Sequence, residues 1–375
     1  MKLSRFTLVT ALLSVTALAE PAKSPTAAEA RQAIERGLAW LQSHQNADGS
    51  WSNSEQPALT ALPVTAYMRQ PWLAASAERP AYLQKAMAFL RTMVKPDGSI
   101  YDSGLSNYNT SVCLVGFLAY NEPKDEPTIL NARNFIAGLQ ASGMADESFD
   151  GGIGYGPTAV SVKRKTPDLD NMLIALEALR AYKDARPATE PTKVKDLNWE
   201  AAIQFITRCQ NLPGKNPKSS ADPADTGGFV YYPGYSNAAP DDGSAPLRSY
   251  GTMSYAGFLS FVYAELKKDD PRVVAALDWL KKNYTVDQNP NMGPAGLYYY
   301  LHLMSKGLTA AGVKEIETAD GRKIDWARDA AAKIIQLQTA DGSWINDKSA
   351  RWMEKDPVLV TSYCILSLEL LSPKL

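Results

Sequence analysis

The segment Thr166-Pro167-Asp168-Leu169-Asp170-Asn171 sets two carboxyls and a carboxamide side by side at the start of an apolar stretch. A carboxyl with a second carboxyl beside it and an apolar wall around it keeps its proton above the usual pH range. Aimed into a space without water, it is a strong general acid. Asp170 is the residue placed for that role. Asp168 has a second reading, because a carboxylate that opens a helix accepts N–H bonds from the first turn and interacts favourably with the helix dipole. His302 closes the apolar run Tyr298-Tyr299-Tyr300-Leu301-His302. It reads either as a hydrogen-bonded core histidine or as an acid–base group facing a cavity with Tyr299 or Tyr300.

The elements that hold these residues come from an internal repeat. Arg36-Gly37, Trp40-Leu41, Gln45, Gly49 and Trp51 form its first copy. The apolar pair returns at Phe89-Leu90, Phe135-Ile136, Phe205-Ile206 and Trp279-Leu280, and as Lys333-Ile334. The glutamine returns at Gln140, Gln210 and Gln338, and the turn at Asp97-Gly98 and Asp341-Gly342 with Trp344. In each unit an amphipathic helix is stopped by the turn and followed by a more apolar helix, which must be buried on more than one side. Six such pairs predict an all-α closed α/α toroid, charged helices outside and apolar helices inside. The inner helices are expected at 62–73, 106–120, 168–182, 250–266, 295–308 and 357–371. Small polar residues recur near their starts, at Asn109 and Thr110, Thr252 and Ser254, and Thr361 and Ser362.

Composition bears on location. Lys2 and Arg5 precede an apolar run from Phe6 to Leu18, and Ala17-Leu18-Ala19 has the small-residue spacing of a signal-peptidase site. Residues 1–19 are therefore expected to be a signal peptide, with 20–375 a single toroid domain in the periplasm or outside the cell. No stretch is suited to span a membrane. Cys113, Cys209 and Cys364 sit inside helical patterns and read as buried free thiols. The net charge of −1 and the lack of a basic block make nucleic acid an unlikely partner. Protein partners are not legible.

The Arg-Gly, aromatic, Gln, Gly-x-Trp spacing resembles the Gln-Trp motif of the terpenoid cyclase and protein prenyltransferase superfamily. The resemblance covers the whole mature chain as a repeat and implies that the motif is structural, the glutamine tying helix end to turn with the tryptophan over it. The segment at Asp168 is in turn similar to the Asp-x-Asp-Asp motif of squalene-hopene and other proton-initiated cyclases. Asp168 matches its first aspartate and Asp170 the middle, proton-donating one, while Asn171 replaces the last. His302 would then stand as the histidine that polarises the acid across the ring. The implied ligand is an apolar, isoprenoid-like molecule in the central cavity, with cyclisation by Asp170 as the catalytic form. Tyr299, Tyr300, Asn109 and Tyr250 are expected to line that cavity. Tyr231 and Tyr232 are expected to cover it from the long insertion at 211–248, rich in Pro, Gly, Asp and Ser.

Other toroid chemistries leave signatures that can be checked. A prenyltransferase needs Asp, Cys and His ligands for zinc. Only His44 and His302 are present, without an Asp-x-Cys pattern, so neither metal nor cofactor is expected. No cysteine is followed by Gly-Glu-Gln, which excludes a thioester toroid. A polysaccharide lyase acting on an acidic sugar needs a basic lining, for which Lys163, Arg164, Lys165 and Arg248 are the candidates. The third alternative is an exported, non-catalytic binding or scaffold protein.

Overall fold

The computed structural model describes residues 24–74, 78–157, 166–186, 196–238, 247–318 and 321–375. The expected signal peptide and Lys163–Lys165 lie outside the described residues. In chain order the helices are α1 (Ala27–Ser43), α2 (Ala58–Met68), α3 (Ala81–Thr92), α4 (Ser106–Tyr120), α5 (Glu126–Gly138), α6 (Leu169–Ala185), α7 (Trp199–Cys209), α8 (Gly251–Tyr263), α9 (Pro271–Lys282), α10 (Leu297–Ala310), α11 (Trp326–Gln336) and α12 (Pro357–Leu371). Even-numbered helices form the inner ring. Each packs on the next, and α12 packs back on α2, so the ring closes. A two-stranded antiparallel pair, Ile316–Glu317 with Lys323–Ile324, decorates the link between α10 and α11.

Side-chain pattern decides which helix goes where. In α1 the buried residues are Ala30, Ala33, Ile34, Gly37, Leu38, Trp40 and Leu41, one face of an amphipathic helix. In α12 every residue from Val358 to Glu369 is buried, which a helix achieves only with neighbours on all sides. The first inner helix departs from expectation, spanning Ala58–Met68 rather than 62–73. Pro71 disfavours helical backbone at Gln70, and the chain leaves the ring there. The three cysteines are buried free thiols.

The motif glutamines do more than tie a helix end to its own turn. Gln45 Nε2 donates to Gly49 O at 2.9 Å and to Tyr82 O, in the first turn of α3, at 2.8 Å. Gln140 bridges Gly151 O and Asn198 O at the start of α7, and Gln210 bridges Gly227 O and Arg272 O in α9. Gln338 bonds Gly342 O at 2.8 Å and Ala33 O of α1 at 2.9 Å, joining the last repeat to the first. Trp51 and Trp344 are fully buried, their indole N–H groups donating to Leu41 O and Ile334 O at 2.7 Å. The recurring Ser and Thr are explained by the same turns. Thr60, Thr110, Ser254 and Thr361 accept the backbone N–H of Trp51, Ile100, Phe229 and Trp344 at 2.9–3.1 Å.

Each turn also brings its backbone onto the next outer helix, which requires glycine. Gly227 has φ +95°, and a Cβ there would lie 2.1 Å from Ala275 O; Gly151 has φ +87° with Ala201 O at the same distance. Gly214 has φ +79° but faces open space. Both Gly227→Ala and Gly214→Ala strain the backbone, whereas only Gly227→Ala forces two elements apart. In urea denaturation, Gly227→Ala is expected to lose about 1–3 kcal/mol more than Gly214→Ala. Equal losses would mean that the close approach carries no weight.

Candidate active site

The first turns of the six inner helices converge on one mouth of the ring. Leu59 of α2, Tyr108 of α4, Asp170 and Asn171 of α6, Thr252 and Met253 of α8, Tyr299 of α10 and Leu359 of α12 line a cavity of about 180 Å³ there. Gln56, Leu105, Tyr155, Tyr231, Asn237, Tyr250, Tyr363, Trp352 and Met353 complete it. No Lys, Arg or His lines it among the described residues.

Asp170 occupies the second residue of α6 and opens on this cavity. Tyr299 OH donates to its Oδ1 at 2.8 Å, and no protein group among the described residues bonds its Oδ2. Burial pushes the Asp170 carboxyl up to about 6, with the Tyr299 bond acting in the opposite sense. Asp168 lies behind it and is 1% exposed. Its Oδ1 accepts the Asn171 N–H and its Oδ2 the Asn171 amide, both at 2.9 Å, so Asp168 is the N-cap of α6. Burial pushes Asp168 up to about 7, while the Asn171 bonds lower it and the Asp170 charge raises it. The amide of Asn171 is thus a donor to Asp168. Asn107 Nδ2 in turn donates to Asn171 Oδ1 at 3.3 Å and to Asn171 O at 3.1 Å, holding the segment from α4.

The tyrosines are positioned from several elements. Tyr231 is fixed by its carbonyl, which accepts Leu169 N–H at 2.8 Å, and its hydroxyl lies 2.9 Å from that of Tyr155. The Tyr250 hydroxyl accepts from Asn237 at 3.2 Å, and the Tyr108 and Tyr363 hydroxyls meet at 3.2 Å. Trp352 and Met353 stand at the mouth with φ of +55° and +61°, 39% and 45% exposed. Left-handed backbone at such residues costs roughly 1 kcal/mol each, and here it turns two large apolar side chains onto the rim.

Among the residues expected from sequence, Asp170, Asn171, Tyr231, Tyr250 and Tyr299 line the cavity together. Four others do not. His302 lies one turn deeper, stacked on Tyr363 with ring centroids 5.0 Å apart and its Nδ1 3.1 Å from Ser367 Oγ. Burial holds it well below the usual imidazole range, and the partner of Asp170 is Tyr299. Tyr300 donates to Thr285 O at 2.8 Å behind the helix. Asn109 accepts Ala58 N–H and donates to Gln56, joining α4 to the start of α2. Tyr232 stacks on Tyr235 away from the cavity. Tyr108, the neighbour of Asn109, is the residue that sequence reasoning missed on α4. The signal was present: Tyr108 stands two residues before the anchoring Thr110, as Thr252 does before Ser254 and Leu359 before Thr361.

No protein-family model matches the sequence, and no curated protein does. Solved structures do resemble the fold. The type II terpene cyclase MstE from Scytonema superposes with TM-score 0.57 at 15% identity, over 94% of this chain and all of the other. A variant of that cyclase bound to geranylgeranyl dihydroxybenzoate gives 0.55 at 14% identity, over 93% and 99%. An alpha-1,6-mannanase variant from Salegentibacter, in complex with alpha-1,6-mannotriose, gives 0.55 at 12% identity over the same shares. At these identities the likeness is one of fold, a terpene cyclase-like α/α toroid.

The raised carboxyls have a consequence for stability. A carboxyl whose folded-state value lies above its unfolded one favours folding in its protonated form. That contribution is full below about pH 4 and is lost as pH rises through about 6 for Asp170 and about 7 for Asp168. Asp170→Asn removes one of these titrations. Its stability relative to wild type is expected to rise by about 2–3 kcal/mol between pH 4 and pH 8. Urea denaturation of both proteins at the two pH values measures this, and a difference independent of pH contradicts it.

Proposed function

We propose that the cavity at the N-terminal mouth binds an apolar, isoprenoid-like ligand and that Asp170 protonates it, starting cyclisation. The observation that carries the reading is Asp170 itself: a carboxyl raised by burial, held through one oxygen by Tyr299, with the other oxygen free beside an aromatic-lined space. Asp168 and Asn171 position it, and Tyr231 and Tyr250 shape the wall.

The chemistry asks for opposing influences. Burial keeps the proton on Asp170 until an alkene is seated, because the carboxylate is poorly solvated there. The first turn of α6 then favours the negative charge left on Asp170, since a helix N-terminus carries partial positive charge. Addition of the proton to a carbon–carbon double bond leaves a carbocation, and the faces of Tyr108, Tyr250, Tyr363 and Trp352 offer it their electron density. The fold shared with a cyclase crystallised with a geranylgeranyl compound is consistent with such a ligand. At this cavity the lyase alternative finds no basic lining among the described residues, which do not include Lys163–Lys165. Residues 1–19 as signal peptide and 20–375 as one exported domain complete the reading, and a secreted product beginning at Glu20 is the check.

Purified protein incubated with squalene and with geranylgeranyl compounds, and analysed by mass spectrometry, tests the activity. Asp170→Asn is expected to lower product formation by about 10²–10⁴-fold. The rate should also fall as pH rises through about 6, because only the protonated Asp170 is active. Product formed equally by both proteins removes Asp170 from the mechanism.

A further inference from the structure

The other mouth of the ring holds a second pocket, of about 740 Å³, formed by the last turns of the inner helices. Met68, Leu118, Ala181, Tyr263, Thr309 and Glu369 mark the six helices there. Its charged groups divide into those with partners and those without. Arg180 is bonded to Asp184 at 2.9 Å and to Glu265 at 2.5 Å, and Lys306 is paired with Glu177. Glu369 is only 6% exposed, yet neither of its carboxyl oxygens has a hydrogen-bond partner among the described residues. Thr309 Oγ1, in the same wall, has none either.

A buried carboxyl with no partner is unfavourable, and nothing in the packing of α12 accounts for it. Its surroundings are rich in acceptors. The final carbonyls of a helix lack intrahelical donors, and a helix C-terminus carries partial negative charge. Six such ends meet at this mouth. Arg69, the C-cap residue of α2, is a cation where the dipole favours one, and its side chain has no bonded partner among the described residues. What Glu369 lacks is a bonded donor, since Arg69 lines the same pocket without a hydrogen bond to it. Among the described residues no group of three or more His, Cys, Asp or Glu could hold a metal ion, whereas an organic ammonium carries the N–H donors that Glu369 lacks.

We propose that this pocket is a second ligand site, taking the primary ammonium of a small organic amine, with Glu369 as its ion-pair partner and Thr309 Oγ1 as a further acceptor. The titratable and charged groups that line the pocket with Glu369 are Arg69 on α2, Glu177, Arg180 and Asp184 on α6, Tyr263 on α8, and His302 and Lys306 on α10; α4 contributes only apolar side chains. Burial raises the Glu369 carboxyl well above its usual range, and Arg69 acts against this. A docked ammonium favours the carboxylate, so binding releases one proton to solvent and strengthens as pH rises. Arg69 competes with the ligand for the same carboxyl. The site does not depend on Asp170, which lies at the opposite mouth.

Isothermal titration of the purified protein with 1,4-diaminobutane tests the proposal, with tetramethylammonium and acetate as comparison probes. The diamine is expected to bind and acetate not to, with tetramethylammonium weaker because it has no N–H to donate. Glu369→Gln should weaken the diamine at least tenfold, whereas Arg69→Gln should tighten it. Glu369→Met, which removes the unpartnered carboxyl, should raise the melting temperature of the free protein while abolishing binding. Acetate binding that disappears in Arg69→Gln would make this an anion site and overturn the assignment. No binding by the diamine, together with a lower melting temperature in Glu369→Met, would show that Glu369 serves the fold.

Discussion

The hydrogen bonds from each motif glutamine to the outer helix of the following repeat set the geometry on which the molecule depends. A side-chain amide has two N–H groups, and in Gln45, Gln140, Gln210 and Gln338 one serves the local turn while the other crosses to the next unit. The turn glycine removes the steric obstacle to that approach. Four of the six units are joined to the next in this way, and the six together return to the start. Because each unit is traversed in the same sense, all inner helices run in the same direction across the ring.

That shared direction makes the two mouths chemically unlike. Six helix N-termini face the cavity with Asp170, and six C-termini face the pocket with Glu369. Partial positive charge at one end favours a carboxylate, and partial negative charge at the other disfavours it. Both carboxyls are raised above their usual range, so desolvation outweighs whatever the helix ends contribute. Asp170 retains a hydrogen bond from Tyr299, whereas Glu369 has none. Between the mouths, His302, Lys306 and Glu177 share a small chamber with Tyr108, Tyr299 and Tyr363.

The toroid was legible in the sequence because the repeat survives where it matters, in aromatic pairs, glutamines and two tryptophans. Asp150-Gly151 and Gly227 belong to the same series of turns but escaped notice, since insertions separate them from Gln140 and Gln210. The acid segment could be read because Asp168, Asp170 and Asn171 are contiguous and open a helix. Residues across the ring were harder. Tyr299 and Tyr300 are adjacent on α10 and point in different directions, and only the rotation of the helix in its groove distinguishes the one that reaches Asp170. Depth along the axis hid the fate of His302, three residues below Tyr299 and beyond the reach of the cavity at Asp170. Trp352 reaches the mouth through a left-handed turn that no hydrophobic period announces.

The bond from Gln338 to Ala33 O marks the seam where the last repeat meets the first. Until α12 arrives, α2 has one bare flank, and it is almost wholly apolar. Contacts that join residues about 300 positions apart are slow to form, because loop closure must be achieved before they contribute. In a ring of this kind α2 therefore leaves the ribosome with that flank unshielded, and it stays so until α12 has been made. The circular architecture that protects the finished interior on all sides makes the first inner helix dependent on α12, about 300 residues downstream.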